Sequence, residues 1–173
     1  MHCPCKTIGY AAYIKVLDIP LEQWRRMLEG DTLGPLLVIK QFIGPMLERR
    51  SGSIINISSG SGAHGRAGNQ PYGAAKAAFT NWSQSLAAEL AEHNIAVNVV
   101  FPTATRTTGY AEWTQLYEQR TGARAAARFY TPESVVPVVV MLAQQDAHLT
   151  GRIFPVEHWN LEHGLGGPEV WAS

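Results

Sequence analysis

The sequence predicts an α/β fold. Three short runs rich in β-branched residues alternate with longer stretches whose apolar residues recur at helical spacing, and no internal repeat or low-complexity linker breaks the alternation. With 173 residues and 46% hydrophobic content, the chain has the size and composition of a single domain, residues 1–173, with its own core. Three strands are few for an open α/β sheet, so further strands are expected to be missing or supplied by a partner.

Ile19-Pro20-Leu21 opens the first helix, expected over about 20 to 30, with Pro20 near the first turn and Leu21, Trp24, Met27 and Leu28 forming an apolar stripe. A second helix is expected from near Asp31 to Arg49, its apolar surface made by Leu33, Leu36, Leu37, Phe42, Ile43, Met46 and Leu47 and its continuity challenged by Pro35 and Pro45. Ser53 to Ile57 suits a buried parallel strand. Ser58 to Gln70 is small and polar and reads as a loop. It leads to the longest helical pattern, about Pro71 to His93, in which Ala75, Phe79, Trp82, Leu86 and Leu90 recur at helical spacing. Ile95 to Phe101 is a second buried strand, stopped by Pro102. Helices follow at about 109 to 121 and 132 to 145, the latter opened by Thr131-Pro132-Glu133 as cap, first-turn proline and early acid. A last strand at about 152 to 156 precedes a glycine-rich tail expected to be loop.

Composition narrows the partners. Lys plus Arg and Asp plus Glu number 14 each, so no net field draws the chain to nucleic acid or to an anionic membrane surface. No apolar run approaches the ~18 to 20 residues that span a bilayer, and Met1 to Lys6 lacks the basic-then-apolar layout of a signal peptide, which makes the cytoplasm the expected location. Cys3 and Cys5, with His2 beside them and no second cysteine pair, read as free thiols. His158 and His163, with Glu157 and Glu162, lack strict ligand spacing and lie beside Gly164, Gly166 and Gly167, so no metal is expected there.

Chemistry concentrates in Tyr72-Gly73-Ala74-Ala75-Lys76. Positions i and i+4 share a helix face, so the ammonium of Lys76 can sit near the phenol of Tyr72. A cation there favours the phenolate, and a coupling of ~4 kcal/mol at 4 Å would bring a phenol of pKa ~10 toward working pH as a general acid/base. The setting is an apolar strand, Ser58-Ser59-Gly60, a glycine-rich loop, the helix bearing the pair, and a second buried strand ending in Pro102.

In this arrangement the chain resembles the short-chain dehydrogenase/reductase family, in which a strand-end serine and a Tyr-x-x-x-Lys helix flank the nicotinamide. Ser59 is the matching serine, 13 residues before Tyr72. The resemblance runs from about Gly9 to Val156 and implies a Rossmann-like doubly wound parallel sheet. It also implies hydride transfer between NAD or NADP and a carbonyl or alcohol substrate. Tyr72 would exchange the hydroxyl proton and Ser59 would hold the substrate oxygen. Lys76 would bind the nicotinamide ribose and lower the tyrosine pKa.

Three departures stand out. Trp24 aligns Asp31 with an asparagine that in many members relays protons from the lysine through water; an ionised carboxylate accepts hydrogen bonds but donates none. Pro102-Thr103 replaces Pro-Gly beside the cofactor, while Thr107 keeps the place of a threonine that contacts the cofactor amide. Lys6-Thr7-Ile8-Gly9 aligns with the family's Asn-Asn-Ala-Gly segment, which puts Gly9 at the cofactor and leaves the fold incomplete, the N-terminal βαβαβ half being missing. NAD and NADP are therefore not distinguished. Gly60-Ser61-Gly62-Ala63-His64-Gly65 matches G-x-G-x-x-G, but no helix opens directly behind it, and a flexible substrate loop is expected.

Tyr110, Trp113 and Tyr117 fall where the family covers its substrate and form either an apolar lid or an ordinary amphipathic helix. Two other readings stand beside the enzyme: a truncated non-catalytic remnant acting as an oligomerisation partner, and a longer protein whose coding region was started at an internal methionine. A homo-oligomer is expected, because the family commonly packs the helices at about 31 to 49 and 71 to 93 across a dimer interface.

Overall fold

The computed structural model describes residues 13–125 and 129–172. Its centre is a parallel sheet of three strands, β1 (Gly52–Ile57), β2 (Ile95–Phe101) and β3 (Ile153–Pro155), in the order β1-β2-β3. Gly52 stands opposite Ile95 and Ile57 opposite Val100 in one ladder, and Val99 opposite Ile153 in the other.

Every residue of β2 is buried, as expected of a parallel strand covered on both faces. Ile95 and Val97 pack against Ala87 and Leu90 of α3 (Gln70–Leu90) and Ile43, Met46 and Leu47 of α2 (Gly34–Arg49). Val100 faces the other way, onto Val138 and Leu142 of α5 (Val136–Ala143) and Val156 and Trp159 of α6 (Val156–Glu162). Helices therefore cover both faces, and the architecture is the Rossmann-like, doubly wound one, with the sheet limited to three strands among the described residues.

Several expectations are corrected. The second helix does not start near Asp31: α1 (Leu21–Leu28) runs into a π-helical turn, Glu29–Leu33, and α2 begins only at Gly34. Gly34 donates to the carbonyl of Glu29, the wide pairing of such a turn, which inserts an extra residue and swings Asp31 inward. Pro35 sits in the first turn of α2, where no amide is needed, and the helix continues through Pro45. Of its predicted apolar surface only Ile43, Met46 and Leu47 reach the core, while Leu33, Leu36, Leu37 and Phe42 are exposed. The helix predicted from 132 starts with a 3-10 turn, Pro132–Val135, and α5 ends at Ala143. The tail is not loop throughout: it carries α6 and a short α7 (Pro168–Trp171), because Val156 and Trp159, three residues apart, bury one face.

No helix among the described residues is long and apolar enough to cross a membrane. Cys3, Cys5, Lys6 and Gly9 lie outside the described residues.

Candidate active site

Residues at the carboxyl end of β1 are tied to α3 by a chain of buried polar contacts. Asn56 and Ser58 alternate along the strand, so both point to the same face. The amide of Asn56 donates to Ser83 Oγ at 2.8 Å, and Ser83 donates to the carbonyl of Phe79 at 2.6 Å. Ser58 Oγ lies 2.8 Å from Thr80 Oγ1 and donates to the carbonyl of Lys76 at 3.2 Å. The last of these fixes the turn of α3 that carries Lys76 against the strand that delivers Ser59.

Ser59 follows in extended backbone and caps the 3-10 turn Gly60–Gly62, its hydroxyl accepting from the amide of Ser61 at 3.1 Å. The start of the glycine-rich segment is therefore ordered onto α3, unlike the flexible loop expected. Gly62 is required there: a Cβ on it would stand 2.8 Å from the carbonyl carbon of Lys76 and 2.9 Å from the amide of Ala77. Nothing comparable restricts Gly60 or Gly65.

Tyr72 and Lys76 share one face of α3. The Lys76 ammonium lies 5.8 Å from the centre of the Tyr72 ring and 5.4 Å from that of Phe79. Its ionic partner is Asp31, whose Oδ1 is 3.2 Å away, with both side chains nearly closed to solvent. The second carboxylate oxygen, Oδ2, is buried without a hydrogen-bond partner. Thr32, next to Asp31, donates to the carbonyl of Ala75 at 3.0 Å and anchors the π turn on α3.

This geometry overturns one expectation. Rather than being drawn toward neutrality by Lys76, the Tyr72 phenol is pushed above its ordinary value: burial raises it, a hydrogen bond with Ser59 opposes the rise, and the negative charge of Asp31 adds to it. The i, i+4 spacing put the ammonium within reach of the phenol, but a carboxylate competes for it.

Beyond Gly60 a cleft of about 630 Å³ opens at the carboxyl ends of β2 and β3, lined among others by Ala63, His64, Phe101, Pro102, Thr103 and Val156. The Thr103 hydroxyl is buried there with no hydrogen-bond partner. Thr107 plays a structural part, capping α4 (Thr108–Thr121) by accepting from the amide of Tyr110 at 3.2 Å. Along α4 runs a ladder of rings. Trp113 stacks on Tyr117 with centres 5.1 Å apart, Tyr110 packs on Trp113 and Phe129 at 5.2 and 4.9 Å, and Tyr13 meets Tyr117 edge-on at 6.0 Å. Tyr13 rests on Gly68, so the ladder reaches back to the glycine-rich segment. Burial raises the Tyr110 phenol, and nearby Arg66 opposes it.

His158 pairs with Glu162 at 3.1 Å and His163 stacks on Trp159, and no group of three metal-ligating side chains forms among the described residues. Sequence reasoning missed Ser58, Thr80, Thr32 and Gly62. Only the alternation of Asn56 and Ser58 in an apolar strand was a visible signal.

A family model described as enoyl-(acyl carrier protein) reductase matches residues 2–158. The chain belongs to the short-chain dehydrogenase/reductase family. It is 32% identical over 169 residues to fluoren-9-ol dehydrogenase of Terrabacter, a match covering 91% of this chain and 47% of that protein. It is 31% identical over 157 residues to an inactive 2-(S)-hydroxypropyl-CoM dehydrogenase of Xanthobacter autotrophicus, covering 86% of this chain and 68% of that one. Among solved structures, the fold matches actinorhodin polyketide ketoreductase with NADPH at a TM-score of 0.76 and 26% identity, over 84% of this chain and 63% of that one. The chain thus spans about half the length of the first of these curated relatives.

Proposed function

We propose that this short-chain dehydrogenase/reductase chain carries the proton-transfer half of an NAD(P)-dependent oxidoreductase acting on a carbonyl or alcohol. The supporting observation is that Tyr72 and Lys76 share one face of α3, and that Ser58, bonded to the Lys76 carbonyl, fixes this turn of α3 beside Ser59 at the carboxyl end of β1. A nicotinamide dinucleotide, when bound, supplies or takes the hydride.

The residues present fit the nicotinamide end of such a cofactor. Pro102 and Thr103 line the cleft, and Thr103 offers a buried hydroxyl with no partner of its own, suited to a carboxamide. Lys76 is the cation for the ribose hydroxyls, and Thr107 and Gly9 complete the set that the family pattern assigns. In carbonyl reduction Tyr72 donates its Oη proton to the substrate oxygen while Ser59 orients that oxygen; alcohol oxidation returns the proton to Tyr72. Asp31 stands behind Lys76 and touches neither substrate nor hydride.

Fluoren-9-ol and its ketone are the substrates to try first, given the Terrabacter relative and the aromatic ladder on α4. Titration calorimetry with NADH and NADPH is expected to show binding of one of them. Replacing Tyr72 by Phe should leave that binding in place and lower turnover by at least about 10²-fold. Undiminished turnover in the Phe variant would remove Tyr72 from the mechanism. The reading includes a homo-oligomer, supported by the exposed Leu36, Leu37, Val38 and Phe42 on α2; a monomeric mass in light scattering would remove that part.

A further inference from the structure

We propose that Asp31 is a positioning residue: by holding the Lys76 ammonium in a buried ion pair, it withholds that charge from Tyr72 and sets the pH at which the phenol exchanges its proton. The inference rests on the reading of Tyr72 as the proton-transfer group and adds to it a device that governs when the group is charged.

The geometry leaves Lys76 between two claims. Its ammonium is in direct contact with the Asp31 carboxylate at 3.2 Å and stands 5.8 Å from the centre of the Tyr72 ring. In a site this shielded a carboxylate in direct contact holds the ammonium strongly, because water does little to screen the pair. The pair is nearly neutral as a unit, so a phenolate forming on Tyr72 would gain little from the lysine. Among the described residues no hydrogen bond spreads the charge of Asp31, whose Oδ2 is buried without a partner.

Among the described residues of the elements packed here, no other charge is placed to do this. Of the elements packed against this part of α3, α1 carries Glu22, Arg25 and Arg26, all exposed, and the π turn carries Glu29, exposed, besides Asp31. The 3-10 turn Gly60–Gly62 and strand β2 carry no charged residue. Glu92 and His93 lie in the 3-10 turn beyond the far end of α3. Lys76 and Asp31 are the charged pair on the Tyr72 face, and the position of Asp31 depends on the π turn, which the Thr32 bond to Ala75 holds against α3.

The consequence is directional. At neutral pH Tyr72 stays protonated, the state in which it could give its proton to a carbonyl oxygen. Alcohol oxidation would need the phenolate as acceptor of the hydroxyl proton, so its rate would rise only in the alkaline range. Both limbs of the pH profile are set by one group, and Asp31 sets where they fall.

The test reads the phenol itself. Tyrosine labelled with ¹³C at Cζ is titrated by NMR in the chain without cofactor, and the Tyr72 resonance is assigned by its loss in Tyr72→Phe. Asp31→Asn, which keeps the shape and removes the charge, is expected to move the Tyr72 midpoint down by about one pH unit, and Asp31→Glu to stay near the wild type. Asp31→Ser gives the same reading should the Asn variant not fold. A midpoint that stays or rises in the neutral variants overturns the proposal. If the midpoint falls but no carbonyl is reduced, the role of Asp31 stands and the oxidoreductase reading fails. If turnover is present with its pH profile unmoved by Asp31→Asn, the role of Asp31 fails alone.

Discussion

The α3 side of the site and the α4 side are held by different forces. On α3, Ser58, Thr80, Asn56, Ser83 and Thr32 make directional bonds inside the protein, and the Lys76–Asp31 pair closes the face. On α4 no side chain is fully buried, and the helix is organised by ring stacking from Tyr110 to Tyr117 with Phe129 and Tyr13 at its ends. Hydrogen bonds and buried charges tolerate little displacement, whereas stacked rings slide at small cost. On the proposed reading, the fixed contacts lie where a proton would move and the adaptable ones where a substrate would be covered.

If this contrast is right, damage on α3 should be felt as lost stability as well as lost function. Lys76→Met removes one member of a buried pair and leaves the Asp31 carboxylate without its counter-charge, an expected loss of about 3 to 5 kcal/mol in urea unfolding. Asp31→Asn with Lys76→Met should recover much of it, because no bare charge remains. A lone Lys76→Met costing under about 1 kcal/mol would mean the pair is open to water, and the contrast would lose its strongest support.

Gly62→Ala probes backbone approach on the same side. The added carbon meets only main-chain atoms of α3 at 2.8 to 2.9 Å, so no rotamer change relieves it. About 1 to 3 kcal/mol of destabilisation is expected. Gly60→Ala, two residues away, meets nothing within 4 Å and should stay within about 0.5 kcal/mol. Equal thermal midpoints for the two variants would show that the 3-10 turn yields.

Alkaline unfolding sharpens the comparison further. The folded phenol of Tyr72 titrates above the unfolded one, so between the two values the native state binds more protons and stability falls as pH rises. The contribution is complete below pH ~10 and is lost above it, at no more than about 1.4 kcal/mol per pH unit. Tyr72→Phe should flatten this decline. The half-buried Tyr110 shares the direction, with Arg66 opposing, so Tyr110→Phe should flatten it less. Denaturant midpoints measured from pH 9 to 11 check both.

Much of this was legible in the residues, and what was not follows from how side chains choose partners. The strands were legible as short runs rich in apolar β-branched residues, fully buried in β2 and mostly half-buried in β1 and β3, and Ser59, Tyr72 and Lys76 stood out through the family resemblance rather than through spacing alone. The pairing of Lys76 with Asp31 was not: helical spacing tells what a side chain can reach, and the winning partner is 45 residues away in sequence. The π turn was hidden because one inserted residue barely disturbs an apolar stripe. α6 was hidden behind Gly164, Gly166 and Gly167, whose turn signal lies just past the helix end. The exposed Leu36, Leu37 and Phe42 read as core because hydropathy cannot tell a face that meets the sheet from one that does not.

The smallest expected effect tests the α4 side. Trp113 sits in the middle of the ladder, stacked on Tyr117 and packed on Tyr110. Trp113→Ala removes two ring contacts, each worth about 0.5 to 1.5 kcal/mol beyond burial, but Trp113 is only part-buried and its neighbours can close up. A stability loss near 1 kcal/mol is therefore expected, well below that of Lys76→Met. The kinetic signature separates the two sides more cleanly. A residue that covers substrate without touching the reacting atoms binds ground state and transition state alike, so KM should rise several-fold for a flat aromatic ketone while kcat stays within about twofold. For a small aliphatic ketone, which could not span the ladder, both constants should be unchanged. A fall in kcat with KM constant would instead place Trp113 in the proton-transfer half and erase the division of labour between α3 and α4.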